Sequence, residues 1–68
     1  MEGKIYKHYR GNLYKVLCIA NNSETLEKMV VYQALYGNGE IWTRPLSMWG
    51  EIVEAGGKQV PRFEEINK

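Results

Sequence analysis

At 68 residues the chain has room for a single domain, read as spanning residues 1–68. Its 44% apolar share suits a folded chain. Nine Lys and Arg against eight Glu, with no Asp, leave a net charge of +1, which excludes a strongly basic nucleic-acid arm and an acidic tail. A single Cys excludes an internal disulfide framework. With no apolar run near the roughly 18 residues of a membrane span and no charged leader before an apolar stretch, a soluble cytoplasmic protein is expected.

Short extended segments follow one another, separated by turn chemistry. The first strand is expected over Ile5–Tyr9 and is ended by Gly11-Asn12, a pair suited to a tight turn. Leu13–Ala20 is the longest strand candidate. Both of its faces are largely apolar, which fits either a central strand buried on both sides or a strongly curled sheet. Asn21–Thr25 reads as a connecting loop or one helical turn, because its side chains bond readily to their own backbone. Met29–Tyr36 is the second long strand. A helix is the rival reading, since Ala34 and Leu35 tolerate one, but the β-branched Val30 and Val31, Tyr32 and the Gly37-Asn38-Gly39 stop favour extended backbone. Gly37-Asn38-Gly39 then marks a hairpin, and Ile41–Arg44 is its return strand. Pro45 can open a short helical turn over residues 45–49. Glu51–Glu54 reads as a strand, 55–58 as a turn, and Gln59–Ile66 as a last extended stretch that Pro61 confines to an edge or a bulge. The expected fold is therefore all-β: a small antiparallel barrel or roll of five to six short strands, closed or nearly closed to bury its inner face.

The residue inventory excludes much chemistry. His8 is the only histidine, and without Asp no Ser–His–Asp triad can form. Neither Ser23 nor Ser47 stands in a nucleophile-elbow context. Cys18, between Leu17 and Ile19, reads as a small buried hydrophobe. One His and one Cys cannot supply a structural zinc site, and no glycine-rich phosphate loop leads into a helix. No metal, no cofactor and no catalytic residue are expected. The eight aromatics are more informative, because all but Phe63 carry a polar group. Most are expected in the core. Period-two alternation, however, puts Trp42 and Arg44 on one face of their strand, and Tyr32, Ala34 and Tyr36 on one face of the preceding strand. The hairpin sets those faces side by side, making Tyr36, Trp42 and Arg44 a candidate patch for stacking and for anion contact. Residues 1–15 carry a local charge of +3 with Tyr6, His8 and Tyr9 interleaved, a setting that can meet phosphates.

With those segments laid out, the chain resembles the bacterial family of unknown function DUF1653 from about Tyr6 to Ile66. The likeness is carried, in order, by Tyr6-Lys7-His8-Tyr9-Arg10-Gly11, Tyr14-Lys15-Val16-Leu17, Ser23-Glu24-Thr25, the block from Val30 to Gly37, Trp42-Thr43-Arg44-Pro45-Leu46 with Met48, and Val60-Pro61-Arg62-Phe63. The resemblance implies an SH3-like small barrel and implies no activity. Asn22 stands where the family pattern usually has His, which weakens any two-His site, and Trp49 stands where it more often has Phe.

The leading functional expectation is a non-catalytic binding module that recognises nucleic acid or another ligand through an aromatic and arginine surface. Its candidate ligand-binding residues are His8, Tyr9, Glu24, Tyr32, Tyr36, Trp42 and Arg44. A monomer is favoured, with no membrane partner. The alternatives are a structural or accessory domain that pairs with a protein partner through an exposed strand edge, and a small hydrolase in which Glu24, His8 and Arg44 converge.

Overall fold

Strict alternation in one strand organises the molecule. Val30, Tyr32 and Ala34 are all buried, while Met29, Val31 and Gln33 between them are only partly covered. The computed structural model describes residues 1–66 and assigns that strand as β3 (Lys28–Ala34). The other elements are β1 (Ile5–His8), β2 (Leu13–Asn21), β4 (Ile41–Pro45), α1 (Leu46–Trp49), β5 (Ile52–Ala55), β6 (Lys58–Pro61) and β7 (Phe63–Glu65). The protein is all-β apart from one turn of helix. Every strand pair is antiparallel, in a five-stranded sheet of order β4-β3-β2-β1-β7 and a separate β5–β6 hairpin. Among the described residues no helix is long and apolar enough to cross a membrane.

The register shows which side chains share the inner face. Val16, Tyr32 and Trp42 stand opposite one another across β2, β3 and β4; Arg44 stands opposite Val30, Tyr6 opposite Tyr14, and Phe63 opposite His8. Tyr6, Val16, Val30, Tyr32, Trp49 and Phe63 form the core, with Tyr14 packed against it. The β2 expectation resolves in favour of curling. The strand is interrupted by a bulge between Val16 and Cys18, and Val16 alone in it is fully buried. The extra residue, Leu17, breaks the alternation and bends the strand. Cys18 is consequently half-buried rather than a core thiol.

The sheet curls without closing through its backbone. β4 and β7 are its two edges and share no ladder. Side chains bridge them instead: the Arg44 guanidinium on β4 lies 5.8 Å from the centre of the Phe63 ring on β7. Trp49 fills the roll from one end. Pro45 blocks further extension of β4, and the helical turn it opens swings the indole inward. There Trp49 stacks on Phe63 with ring centres 3.9 Å apart and meets Tyr6 and Tyr32 edge-on at 5.3 and 5.1 Å.

Two segments differ from expectation by more than one residue at a boundary. The second long strand stops at Ala34, because Gly37 and Gly39 take φ of 57° and 67° and turn the chain out beyond Leu35 and Tyr36. The last stretch is two strands belonging to different sheets. Arg62 divides them, its N–H donating to the Glu51 carbonyl at 2.8 Å and its side chain pairing with the Glu51 carboxylate at 3.0 Å. That double clasp closes the base of the β5–β6 hairpin. Its tip is Gly56-Gly57, both at positive φ, as a two-residue turn matched to strand twist requires. In the β2–β3 loop, the Asn22 side-chain oxygen accepts from the N–H groups of Glu24 and Thr25, as the loop reading anticipates. Leu26 there holds φ of 63°, a left-handed conformation that is costly for any residue with a Cβ, and its side chain is largely exposed.

Replacing Trp49 by Ala should cost about 3–5 kcal/mol in urea unfolding. Trp49→Phe should cost under about 1.5 kcal/mol, because it keeps a flat ring against Phe63 and removes an indole N–H that is buried without a partner. Leu26→Gly should stabilise the fold by about 0.5–1 kcal/mol, since glycine enters the left-handed region freely. A fall in thermal midpoint for Leu26→Gly would contradict the strain assigned to that loop.

Candidate functional site

The end of the roll at the β3–β4 hairpin carries an open cleft of about 230 Å³, lined by Ala34, Tyr36, Gly37, Asn38, Glu40 and Trp42. Glu40 immediately precedes β4, two positions before Trp42, and Trp42 stands opposite Tyr32. Ala34 is buried, whereas Tyr36 and Trp42 are 46% and 49% exposed. Tyr36 is fixed from behind by Tyr14. Their hydroxyls are 2.7 Å apart and their rings meet edge-on at 5.6 Å.

From that cleft an unbroken run of rings crosses the inner face. Tyr14 also touches Tyr32, Phe63 and His8, at 5.4, 5.8 and 6.3 Å. His8 packs on Tyr9 at 4.6 Å and on Phe63 at 5.1 Å, and its Nδ1 accepts from the Arg10 N–H at 3.2 Å. Arg10 folds over the Tyr9 ring, and its Nε donates to the Tyr9 hydroxyl. His8 also lines another cleft of about 230 Å³, with Lys7, Tyr9, Pro61 and Glu64 in its walls.

The matrix of known proteins agrees with the architecture. The family model described as "Protein of unknown function (DUF1653)" matches residues 4–65. This chain belongs to the DUF1653 family. It is also similar to the crystal structure of a DUF1653 protein from Bordetella bronchiseptica, at 37% identity and a TM-score of 0.87, over 97% of this chain and 87% of that one. No curated protein matches it.

Within this DUF1653 fold the seven sequence-derived candidates separate into groups. Tyr36 and Trp42 share the hairpin cleft. Tyr32 lies beneath them as core, 7% exposed. His8 and Tyr9 stand at the other end of the aromatic run. Arg44 shares the inner face with Trp42, but its guanidinium turns away from the cleft onto Phe63, leaving Nε buried without a hydrogen-bond partner. The expected three-residue patch is thus a two-ring cleft with Arg44 behind it. Glu24 is not brought to the others. It sits in the β2–β3 loop beyond the Asn21–Lys28 pair, at the opposite end of that ladder from Tyr14 and Ala34. The Glu24, His8 and Arg44 constellation is therefore not assembled. Sequence reasoning did not single out Glu40 or Tyr14 for this cleft, whereas Arg10 was counted in the basic first segment. Glu40 was within reach of the alternation rule, two positions before Trp42, whereas Tyr14 required the β2–β3 register. Among the described residues no three His, Cys, Asp or Glu side chains gather as metal ligands.

Electrostatics divides the surface. Burial lowers the His8 pKa, and the guanidiniums of Arg62, Arg10 and Arg44 lower it further. Arg62 is held by Glu51, while Arg10 and Arg44 have no carboxylate partner among the described residues. The Tyr14 hydroxyl is pushed up to about 12, first by burial and then by its hydrogen bond with Tyr36, so it stays neutral under physiological conditions.

Because the folded state disfavours charged His8, the stability contributed by the neutral ring is complete above about pH 6.5 and is lost as pH falls through its lower folded value. Urea midpoints measured from pH 8 to pH 5 should fall more steeply for the wild type than for His8→Gln. Parallel profiles would show that His8 titrates as it does in an unfolded chain.

Proposed function

We propose that this DUF1653 domain is a non-catalytic binding module for single-stranded nucleic acid. The observation that carries the reading is the pair of half-exposed rings, Tyr36 and Trp42, in one cleft: large aromatic surface left in water by a chain with little surface to spare. Flat, sequence-tolerant stacking is the use to which single-strand binders put such rings. The run through Tyr14 to His8 leads toward Arg10 and Arg44, whose positive charge suits phosphates further along a strand whose base stacks in the cleft. With a net charge of only +1, binding depends on stacking and on a few phosphate contacts and is correspondingly modest.

The test is fluorescence anisotropy with a labelled eight-nucleotide RNA at low salt. Trp42→Ala should weaken binding by about 1–3 kcal/mol and leave the thermal midpoint nearly unchanged, because half of the indole already faces water. Arg10→Ala should reduce the slope of log affinity against log salt by about 0.7. Absence of binding, or binding indifferent to both substitutions, would remove nucleic acid as the ligand.

A further inference from the structure

The cleft that holds the two rings also holds a carboxylate. Glu40 lines it beside Ala34, Gly37 and Asn38, and no Lys or Arg side chain takes part in the lining. The ion pairs among the described residues are Lys4–Glu65 and Arg62–Glu51, so Glu40 is not committed to a cation. Its position is nevertheless fixed by the backbone. The Ala34 N–H donates to the Glu40 carbonyl at 2.9 Å, the Gly39 N–H to the Tyr36 carbonyl at 3.1 Å, and the Gln33 side-chain amide to the Gly39 carbonyl at 2.9 Å. The hairpin backbone therefore brings two aromatic rings and Glu40 to one cleft.

A carboxylate accepts two hydrogen bonds side by side and donates none. Among the four bases, guanine presents two adjacent donors, N1–H and the N2 amino group, on its Watson–Crick edge. Adenine and cytosine set one amino group beside a ring-nitrogen acceptor, and uracil sets one N–H between two carbonyl oxygens. Each of those three would turn an acceptor toward a carboxylate oxygen. The cleft, at about 230 Å³, is below the roughly 300–1,000 Å³ of sites that enclose drug-sized ligands, a size suited to one base rather than a whole nucleotide.

We infer that this cleft is a guanine-selective subsite, in which the base lies against Trp42 and Tyr36 while its N1–H and N2 amino group donate to the Glu40 carboxylate. The inference rests on the nucleic-acid reading above and names the base that reading leaves open. Glu40 repels phosphate, so the backbone of the strand runs outside the cleft, toward Tyr14 and His8, where the guanidiniums lie.

The experiment uses five-nucleotide RNAs with one variable base between uridines, measured by anisotropy against the wild type and Glu40→Gln. Glu40 is exposed, so the substitution leaves the core untouched. The guanine-containing RNA should bind about 5- to 100-fold more tightly than the adenine, cytosine or all-uridine RNAs, the discrimination expected of one good bidentate contact. Inosine, which lacks the amino group, should fall between. Glu40→Gln should abolish the guanine preference, read as the ratio of guanine-containing to all-uridine affinity, while the loss of its negative charge leaves all-uridine binding as tight or tighter. Equal affinity for all bases, or a guanine preference that survives Glu40→Gln, would overturn the subsite and leave the nucleic-acid reading standing. If no RNA binds and tetramethylammonium instead quenches Trp42 fluorescence, the rings and carboxylate form a cation cage and both readings fail.

Discussion

The structure depends on one stack of rings. The five-stranded sheet curls until side chains of its two edges meet, and Trp49, delivered by a single turn of helix after Pro45, fills the space left inside the roll. It lies flat on Phe63 and edge-on to Tyr6 and Tyr32. Those contacts join β1, β3 and β7, which are far apart in sequence, so the stack fixes how tightly the sheet can curl. The indole N–H is left buried without a partner, an expense tolerated because so much area is removed from water around it.

The same aromatic packing extends from core to surface. Tyr32 is interior and Tyr36 is rim, and Tyr14 touches both. The rings at the mouth are thus seated on the rings that hold the fold together, and a ligand in the hairpin cleft would meet a surface already ordered by core packing. The arginines follow a different logic. Arg62 secures the hairpin base, Arg44 spans the sheet edges, and the exposed Arg10 covers Tyr9.

Much of this architecture can be read along the chain. The alternation of Val30, Tyr32 and Ala34, the glycine pair at 56–57, the glycine-rich hairpin and the proline before a helical turn each encode their element locally. The site is harder to read, because exposure is a property of the assembled sheet. Tyr32 and Tyr36 have the same parity and the same chemistry, yet one lies within β3 and the other beyond its end. The Leu17 bulge changes which β2 residues face inward, and it follows from curvature that no local pattern states. Arg44 had the correct face, but a long side chain can reach across a curled sheet, and this one does. Glu24 fails for a topological reason: its loop lies at the wrong end of the β2–β3 ladder.

The seam between β4 and β7 carries a mechanical meaning. A closed cylinder can widen only by tearing ladder hydrogen bonds, whereas here the two margins meet through a guanidinium resting on a ring. Parting them breaks side-chain packing alone and leaves the long β2–β3 ladder intact. The molecule is in effect a clasp with a rigid spine and a soft closure, and amide hydrogens should exchange with solvent early along its margins and last beneath Val16 and Val30.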